Sequence, residues 1–359
     1  MKIAFFGPFS SLDYFKIGGV ESFCRRLAAG LLGEGHQADF VNYGAPATEK
    51  RAGGGGIGLF YFREFKAALQ FLSRGYDHIV TLYLAPRDRW RYAYFRRVNQ
   101  SRITFHQVYF SWPDSLIKRK GAFLEARLQP FNGRLFCVSP RQYRYVSRWS
   151  DRGVLLLPPV WESYFLEPEA KPNHDKLRLI YIGRTEPGKG IEEVIYLYNQ
   201  LKDQTHMELE IHGFHHQRSP AGVKFHEWLS HNDGLRYFYS PFESYSPETD
   251  DNIRRILQGS DILILPYRKL SSTIDAPVLL LEGMAALCAV MTKPLGDIPS
   301  LYGPSPLLIK GPEEMAPMVK RLQNSPELLI IERRRIFQRN AELDFAAGHV
   351  TARFMRALA

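Results

Sequence analysis

The chain has 359 residues, of which 45% are hydrophobic and 23% charged, and its formal net charge is +10. This composition is typical of a globular protein and excludes disorder, collagen and coiled coil. The length predicts two domains, each large enough to bury its own core. Cys24, Cys137 and Cys288 lie far apart without metal-ligand spacing, so neither a disulfide framework nor a zinc site is predicted. A reducing cytoplasm fits this cysteine content best.

Membrane insertion is not predicted. The apolar run at residues 3–6 is too short for a signal peptide and stops at a Gly-Pro pair, so residues 2–6 are interpreted as a first strand. No uninterrupted apolar segment approaches the roughly 20 residues that span a bilayer, which excludes an integral membrane protein.

The net positive charge of the chain comes entirely from its first half. Residues 1–165 contain 24 Lys and Arg against 12 Asp and Glu, whereas residues 166–359 contain 23 against 25. A proline-rich stretch at 157–172 has the composition of an interdomain linker. We therefore predict an N-terminal domain over 1–165 and a second domain over 166–335. A C-terminal helix over 336–359 is expected to pack back toward the first domain.

The basic half interleaves arginine with aromatic residues most densely at 87–97, RDRWRYAYFRR. Such a segment could bind anionic lipid headgroups or nucleic acid. The alternative is an amphipathic surface helix whose rings pack inward while its arginines are solvated. No zinc-finger, RNP or helix-turn-helix pattern supports a nucleic-acid partner, so an anionic membrane surface is favoured and no nucleic acid is expected.

The first half begins as a strand at 2–6, a loop containing Gly18 and Gly19, a helix with apolar spacing over 20–32 and a strand at 38–41. This order is the unit of a parallel sheet with helices on both faces. A glycine-rich loop follows at 52–56, and further strands are predicted at 78–82, 102–105 and 134–138. The first domain is therefore predicted to be Rossmann-like.

The second half repeats this logic with a strand at 177–182, a loop at 183–190 and a helix over 191–201. Further strands are predicted at 208–211, 261–266 and 289–292, with a helix from near Pro277 to Ala286 and a helical tail after Pro326. The predicted fold is α/β, with two Rossmann-like domains facing each other across a cleft. Ligands of such folds lie at the carboxyl ends of the strands.

The loop at 183–190, GRTEPGKG, follows a predicted strand and precedes a helix, where a phosphate can lie against a helix N-terminus. Arg184 would supply a guanidinium fork and Lys189 a point charge to a diphosphate. The spacing is not that of a Walker A motif. The alternative is a glycine-rich turn with two solvated cations.

From its first residue to the C-terminal helix, the chain resembles the family 4 retaining glycosyltransferases of GT-B fold. The GGVE segment at 18–21 resembles the family's GGxE loop, and residues 180–184 with 189–190 resemble its VGR…KG segment. Residues 261–266 and 280–285 resemble its D-V-x-x-x-P and L-L-E-A-M-A segments. The resemblance implies that the amides of Gly18 and Gly19 approach the donor diphosphate. It also implies that Arg184 and Lys189 neutralise the leaving nucleoside diphosphate and that Glu282 binds the ribose hydroxyls.

The sequence departs from the family at one position. The family signature has a second glutamate eight residues before the position of Glu282, and here that residue is Ile274, with Asp275 next to it. Asp275 is predicted to contact the donor-sugar hydroxyls from a shifted register, or to cap the helix that Pro277 helps to start, and the two roles are compatible. Because Pro277 has no N–H, phosphate contacts would fall to the amides of Ala276, Val278 and Leu279.

His106 follows the predicted strand at 102–105 and resembles the histidine that family members place at a strand tip, beside donor sugar and acceptor. This position would bring it to the edge of the cleft. The alternative is a structural histidine. Asp250 and Asp251 do not form a D-x-D metal motif, and the resemblance implies a metal-independent mechanism. No cofactor is expected, since the nucleotide sugar is a substrate.

The predicted function is retaining transfer of a hexose from a nucleoside-diphosphate sugar, with UDP or GDP, to a hydroxyl of a glycan or lipid-linked acceptor. The expected setting is cell-surface polysaccharide or lipopolysaccharide synthesis, in the cytoplasm and at the inner membrane face. One alternative is a non-catalytic GT-B protein that binds a nucleotide sugar or glycan, and another is a sugar-nucleotide epimerase. The predicted catalytic residues are His106, Arg184, Lys189 and Asp275. The predicted donor-binding residues are Gly18, Gly19, Arg184, Lys189, Asp275, Ala276, Val278, Leu279 and Glu282.

Overall fold

A computed structural model of the chain describes residues 1–111, 132–214, 219–232, 234–241 and 244–359. The chain divides into two compact units. The first consists of Met1–Pro159 and Ala347–Ala359, and the second of Val160–Ala346. Within the described ranges, no helix combines the length and the apolar composition needed to cross a bilayer.

The first unit is built on an eight-stranded sheet with the order β3-β4-β2-β1-β5-β6-β7-β8. Its strands are β1 (Lys2–Pro8), β2 (Gln37–Tyr43), β3 (Glu49–Ala52), β4 (Gly58–Phe62), β5 (His78–Thr81), β6 (Thr104–Tyr109), β7 (Leu135–Cys137) and β8 (Gly153–Leu155). All neighbouring pairs are parallel except β3 and β4. The strand order reverses between β1 and β5, so the topological switch point lies at their carboxyl ends.

Among the described residues of this unit, four helices precede the second unit in the chain: α1 (Gly19–Gly33), α2 (Phe65–Leu72), α3 (Arg89–Asn99) and α4 (Pro140–Val146). The central strand β1 is buried on both faces, which explains its continuous apolar sequence. On one face, the ring of Phe6 lies 5.9 Å from that of Phe65 in α2 and 5.7 Å from that of Tyr92 in α3. These contacts fix α2 and α3 against the sheet.

The second unit has a five-stranded sheet with the order β11-β10-β9-β12-β13, parallel throughout. Its strands are β9 (Leu177–Arg184), β10 (Met207–Phe214), β11 (Arg236–Tyr239), β12 (Ile262–Leu265) and β13 (Ala289–Thr292). Its helices are α5 (Ile191–Leu201), α6 (Pro220–Ser230), α7 (Pro247–Gln258), α8 (Val278–Ala285), α9 (Ile298–Tyr302), α10 (Met315–Asn324) and α11 (Pro326–Leu343). Because β10 and β11 lie on one side of β9 and β12 and β13 on the other, the switch point is between β9 and β12.

The last helix, α12 (Ala347–Leu358), belongs to the first unit. A Cβ added to Gly30 of α1 would lie 2.2 Å from the hydroxyl oxygen of Thr351, so the two helices approach closely at that glycine. The ring of Phe354 lies 4.8 Å from that of Phe136 in β7, and the Arg134 side chain donates to the carbonyl of Ala357 at 2.9 Å. The C-terminal helix is therefore part of the core of the first unit.

The long helix α11 holds α8 in place within the second unit. Arg333 of α11 forms a buried ion pair with Asp261 at 2.5 Å, and the Asn340 amide donates to the carbonyl of Met284 in α8 at 2.8 Å. The helix α8 is itself apolar around nearly its whole circumference, as expected for a helix enclosed by the core. Glu282 is its one charged residue.

Candidate functional site

The loop after β9 lies at the switch point of the second sheet. A single 3-10 turn, Pro187–Lys189, leads to Gly190, which has a φ of 81° and caps α5. A Cβ at Gly190 would lie 2.1 Å from the carbonyl oxygen of Pro266, the residue that follows β12. Glycine is thus required here by both the left-handed backbone and the close approach of the two loops.

Arg184 is the last residue of β9 and links the loops that follow β9 and β12. Its Nη1 lies 3.1 Å from the Glu186 carboxylate, and its Nη2 donates to the carbonyl of Ser272 at 3.4 Å. The hydroxyl of Ser272 in turn donates to the carbonyl of Gly188 at 2.7 Å. The guanidinium is therefore held in place while 31% of its side chain stays exposed to solvent.

Lys189 lies half-buried beside Arg184, with its Nζ 4.8 Å from the centre of the Tyr267 ring. The pKa of Lys189 is lowered to about 7, chiefly by burial and also by the positive charge of Arg184, while Glu186 opposes the shift. An anion placed between the two cations would restore the charge of the lysine. The loop is accordingly suited to bind a phosphate or diphosphate.

Tyr267 connects Lys189 with the segment that precedes α8. Burial raises the pKa of its hydroxyl well above the ordinary value, against the effect of a hydrogen bond with the Thr273 side chain. The positive charge of Arg184 lowers the pKa of this hydroxyl, and the negative charge of Glu282 raises it. Glu282 is 4% exposed.

The segment before α8 contains the remaining residues predicted for this unit. Asp275 and Ala276 are buried, and the N-cap of α8 is Pro277, so Asp275 stands two residues before the cap and is not itself the N-cap residue. Val278 and Leu279 form the first turn, where amides have no acceptor within the helix. These amides can therefore donate to a ligand.

The structure thus brings Arg184, Lys189, Glu282 and the Asp275–Leu279 segment to one end of the second sheet. Sequence reasoning missed Glu186, Tyr267 and Ser272, which connect these residues. The position of Tyr267 in the sequence could have indicated its role, because it comes two residues after the buried strand β12 and so lies at the carboxyl end of the sheet. Among the described residues, His, Cys, Asp and Glu form no group of three that could hold a metal ion.

Gly18 and Gly19 belong to the first unit, at the start of α1. A Cβ at Gly18 would lie 2.3 Å from a carboxylate oxygen of Glu21, so this position needs glycine for the carboxylate to fold back over the helix end. Burial raises the pKa of Glu21 to about 7, against a hydrogen bond from its own backbone N–H and the charge of Arg25. Arg25 also donates to the carbonyls of Tyr14 and Lys16, at 2.7 and 2.8 Å. A buried polar network therefore shapes this loop, and contact of its amides with a diphosphate stays a prediction.

The placement predicted for His106 is wrong. The strand expected at 102–105 is β6, which continues to Tyr109 because Gln107 to Tyr109 pair with β7, so His106 is its third residue and is 1% exposed. Its Nδ1 accepts the Arg134 N–H at 2.9 Å and its Nε2 lies 3.1 Å from Nδ1 of His78. Burial, with the charges of His78 and Arg134, lowers the pKa of His106 to about 3. The ring is neutral and enclosed, which favours the structural alternative.

No model of a protein family and no curated protein matches the sequence. Solved structures do match over nearly the whole chain. Sucrose-phosphate synthase from Thermosynechococcus elongatus gives a TM-score of 0.69 at 14% identity, covering 99% of this chain and 98% of that one. Anabaena HepE in complex with UDP and glucose gives 0.67 at 12% identity, covering 100% and 99%. WaaG, a glycosyltransferase involved in lipopolysaccharide biosynthesis, gives 0.64 at 13% identity, covering 98% and 99%.

These likenesses confirm the predicted fold class. The chain has the α/β architecture of the GT-B glycosyltransferase structures, with its eight-stranded and five-stranded sheets in separate units. At such low identity the likeness concerns the fold. Membership of family 4 stays a prediction from the sequence motifs.

Proposed function

We propose that the protein is a glycosyltransferase that moves a hexose from a nucleoside-diphosphate sugar to an acceptor hydroxyl. The observation that carries this proposal is the pair of cations at the switch point of the second sheet, Arg184 and Lys189. Glu282 lies in α8, the helix that follows the neighbouring strand β12. The likeness to HepE, solved with UDP and glucose, supports the same class of ligand. UDP is accordingly the first nucleotide to test.

In the proposed complex the diphosphate lies between Arg184 and Lys189. The Arg184 guanidinium now shares its charge with Glu186, so binding of a diphosphate would replace part of that ion pair. The amides of Val278 and Leu279 would donate to the same phosphates at the N-terminus of α8. These groups would supply, without a metal, the positive charge that a departing diphosphate needs.

The carboxylates of this unit would hold the rest of the donor. Glu282, inside α8, can accept two hydrogen bonds at once and would bind the ribose hydroxyls. Asp275, just before the helix, would bind hydroxyls of the transferred sugar in place of the glutamate that the family has at the position of Ile274. Both assignments rest on the sequence resemblance together with the position of the two residues at the sheet end.

The reaction we propose retains the anomeric configuration. The bond between the anomeric carbon and the diphosphate oxygen breaks, the acceptor oxygen bonds to that carbon on the same face, and the leaving phosphate takes the acceptor proton. The protein's contribution is charge stabilisation, for which a single well-placed donor is worth about 2.7–4 kcal/mol in comparable sites. We propose a glycan or lipid-linked acceptor, in cell-surface polysaccharide or lipopolysaccharide synthesis.

The test is calorimetric titration with UDP, GDP, ADP and CMP. We expect one diphosphate to bind with micromolar affinity and to be lost in Arg184→Ala and Glu282→Ala. Arg236→Ala is the matched control, because Arg236 is also partly exposed and paired with carboxylates but lies on β11. Absence of binding by every nucleotide, or an equal loss in the control, would refute the assignment.

The stereochemistry has a separate test. Slow hydrolysis of the bound donor can be followed by proton NMR, in which the anomer formed first is resolved before it equilibrates. We expect the first anomer to have the configuration of the donor. The opposite anomer would exclude the retaining mechanism and leave the binding site assignment intact.

A further inference from the structure

The outer face of α3 exposes an unusual apolar stripe. Trp90 is 82% exposed, Tyr94 71% and Val98 60%, and their spacing of four residues places them along one side of the helix. The opposite side is fixed in the core, where Tyr92 and Phe95 are 1% and 9% exposed. The inward packing considered from the sequence therefore holds for those two rings and not for the stripe.

Exposed arginines flank the stripe. By helical geometry Arg91 and Arg97 lie on either side of it, and both are exposed. Arg87, just before the helix, has a side chain that is 87% exposed. The sequence of α3 contains no acidic residue. The face is therefore at once aromatic and strongly cationic.

A cavity of about 470 Å³ lies beside the N-terminus of α3. Its charged lining consists of four cations and two carboxylates, and the rings of Tyr43 and Phe65 complete its wall. The charged residues are Arg63, Lys66, Arg87 and Arg91, with Glu64 and Asp88. Asp88 is buried, and its carboxylate lies 3.7 Å from Nε of Arg87. The cavity thus has a net positive charge and is large enough to admit a phosphorylated group.

We propose that the apolar stripe of α3 and the adjoining cationic cavity bind the surface of an anionic phospholipid bilayer, with a lipid phosphate in the cavity. Tryptophan and tyrosine are favoured at the membrane interface, where one side of the ring is apolar and the other is wet. Exposed arginines are attracted by the negative surface potential of anionic lipids. The face combines both features on one rigid helix.

The same observations favour a bilayer over a single-stranded nucleic acid. Nucleic-acid binders of that kind use a cationic groove that follows several nucleotides, with aromatic rings for base stacking. Here the rings project from the exposed surface of α3 and line no groove within the described part of the chain. The stripe also ends in Val98, which offers no stacking surface. An aliphatic side chain does contribute to insertion into lipid.

The experiment is flotation of the full chain with vesicles of phosphatidylcholine, alone or mixed with phosphatidylglycerol. We expect binding to the mixed vesicles only, weakened by salt. An exposed cation near an anionic surface contributes about fivefold in affinity, so Arg87→Ala with Arg91→Ala should weaken binding about 25-fold. Trp90→Ala with Tyr94→Ala should also weaken it, at every salt concentration.

Matched controls come from the second unit. Trp228→Ala removes a ring that is 42% exposed on α6, and Arg236→Ala removes an exposed cation on β11, so neither should change vesicle binding. All of these side chains are exposed, and thermal denaturation should show unchanged midpoints. The assay needs no nucleotide, so its result is independent of the proposed transferase activity.

Any of four outcomes would overturn the proposal. The first three are absence of binding to mixed vesicles, equal binding to phosphatidylcholine alone, and an equal loss of binding in the control variants. The fourth is release of the protein from the vesicles by millimolar glycerol phosphate or by a short single-stranded RNA. Release by glycerol phosphate would assign the cavity to a soluble phosphate, and release by RNA would assign the face to nucleic acid.

Discussion

The charge state of Lys189 should make the proposed diphosphate binding depend on pH. Its pKa is about 7 in the empty protein, against an ordinary value of 10.5, because of burial and the neighbouring Arg184. A bound diphosphate would hold the ammonium in its charged form, so binding requires proton uptake at any pH above 7. The sign follows by linkage, since affinity must fall as pH rises wherever the complex binds more protons than the free protein.

The size of the effect follows from the protonated fraction of Lys189. With a pKa of about 7, this fraction is about 0.24 at pH 7.5 and about 0.01 at pH 9, so affinity should fall about 24-fold over that range if the bound lysine stays charged. The range from pH 7.5 to 9 lies above the pKa of about 6 for the second ionisation of a terminal phosphate, so the charge of the phosphate changes little over that range. At pH 7.5 each binding event should take up about three quarters of a proton.

Calorimetric titration of UDP at several pH values, in buffers of different ionisation enthalpy, measures both the affinity at each pH and the number of protons taken up on binding. Lys189→Arg is the matched variant, because a guanidinium stays charged throughout and its affinity should vary little with pH. Lys189→Ala should bind more weakly at pH 7.5 and lose the pH dependence. A wild-type affinity that is constant from pH 7.5 to 9, or an equally steep profile in Lys189→Ala, would refute the reasoning.

Further substitutions test three local arguments. Gly190→Ala introduces a Cβ 2.1 Å from a carbonyl oxygen at a φ of 81° and should lower the free energy of unfolding in urea by about 1–3 kcal/mol. Gly33→Ala, whose Cβ meets no atom within 4 Å, should change it by less than about 1 kcal/mol. The pKa of Glu21, about 7 when folded against 4.5 when unfolded, should make stability fall by up to about 3 kcal/mol as pH rises from about 4.5 to 7. Glu21→Gln should flatten that profile, and an unchanged slope would assign it to another group. Arg333→Met should cost about 3–5 kcal/mol because Asp261 is left charged and buried, and adding Asp261→Asn should recover part of the loss.

Much of the fold could be predicted because its elements are local and periodic. The strands at 2–6 and 289–292 and the helix at 191–201 agree with β1, β13 and α5 to within two residues. The short strands β3 and β4 were not predicted. The first consists of four exposed residues and pairs with the second, so its formation depends on a partner rather than on its own pattern.

The candidate site was partly predictable for the same reason. Arg184 and Lys189 lie at a strand-to-helix loop, and the sequence marks such a loop by its glycines. The connecting residues Tyr267 and Ser272 were missed because they act across two loops that are distant in sequence. The error at His106 came from the length of β6, which continues past the predicted end because β7 pairs with its second half. Pairing of this kind is not visible in a single segment.

The arrangement of charges at the second sheet explains how one loop can hold two cationic side chains. One of them, Arg184, is permanently charged and is neutralised in part by Glu186 at 3.1 Å. The other, Lys189, is about half neutral at pH 7, so the repulsion between the two is reduced until an anion is present. Because the full charge would develop only with the proposed ligand, the free protein bears less of the electrostatic cost that a fixed dication would impose. The same property would favour release of the proposed diphosphate, since its loss would allow the lysine to give up its proton again.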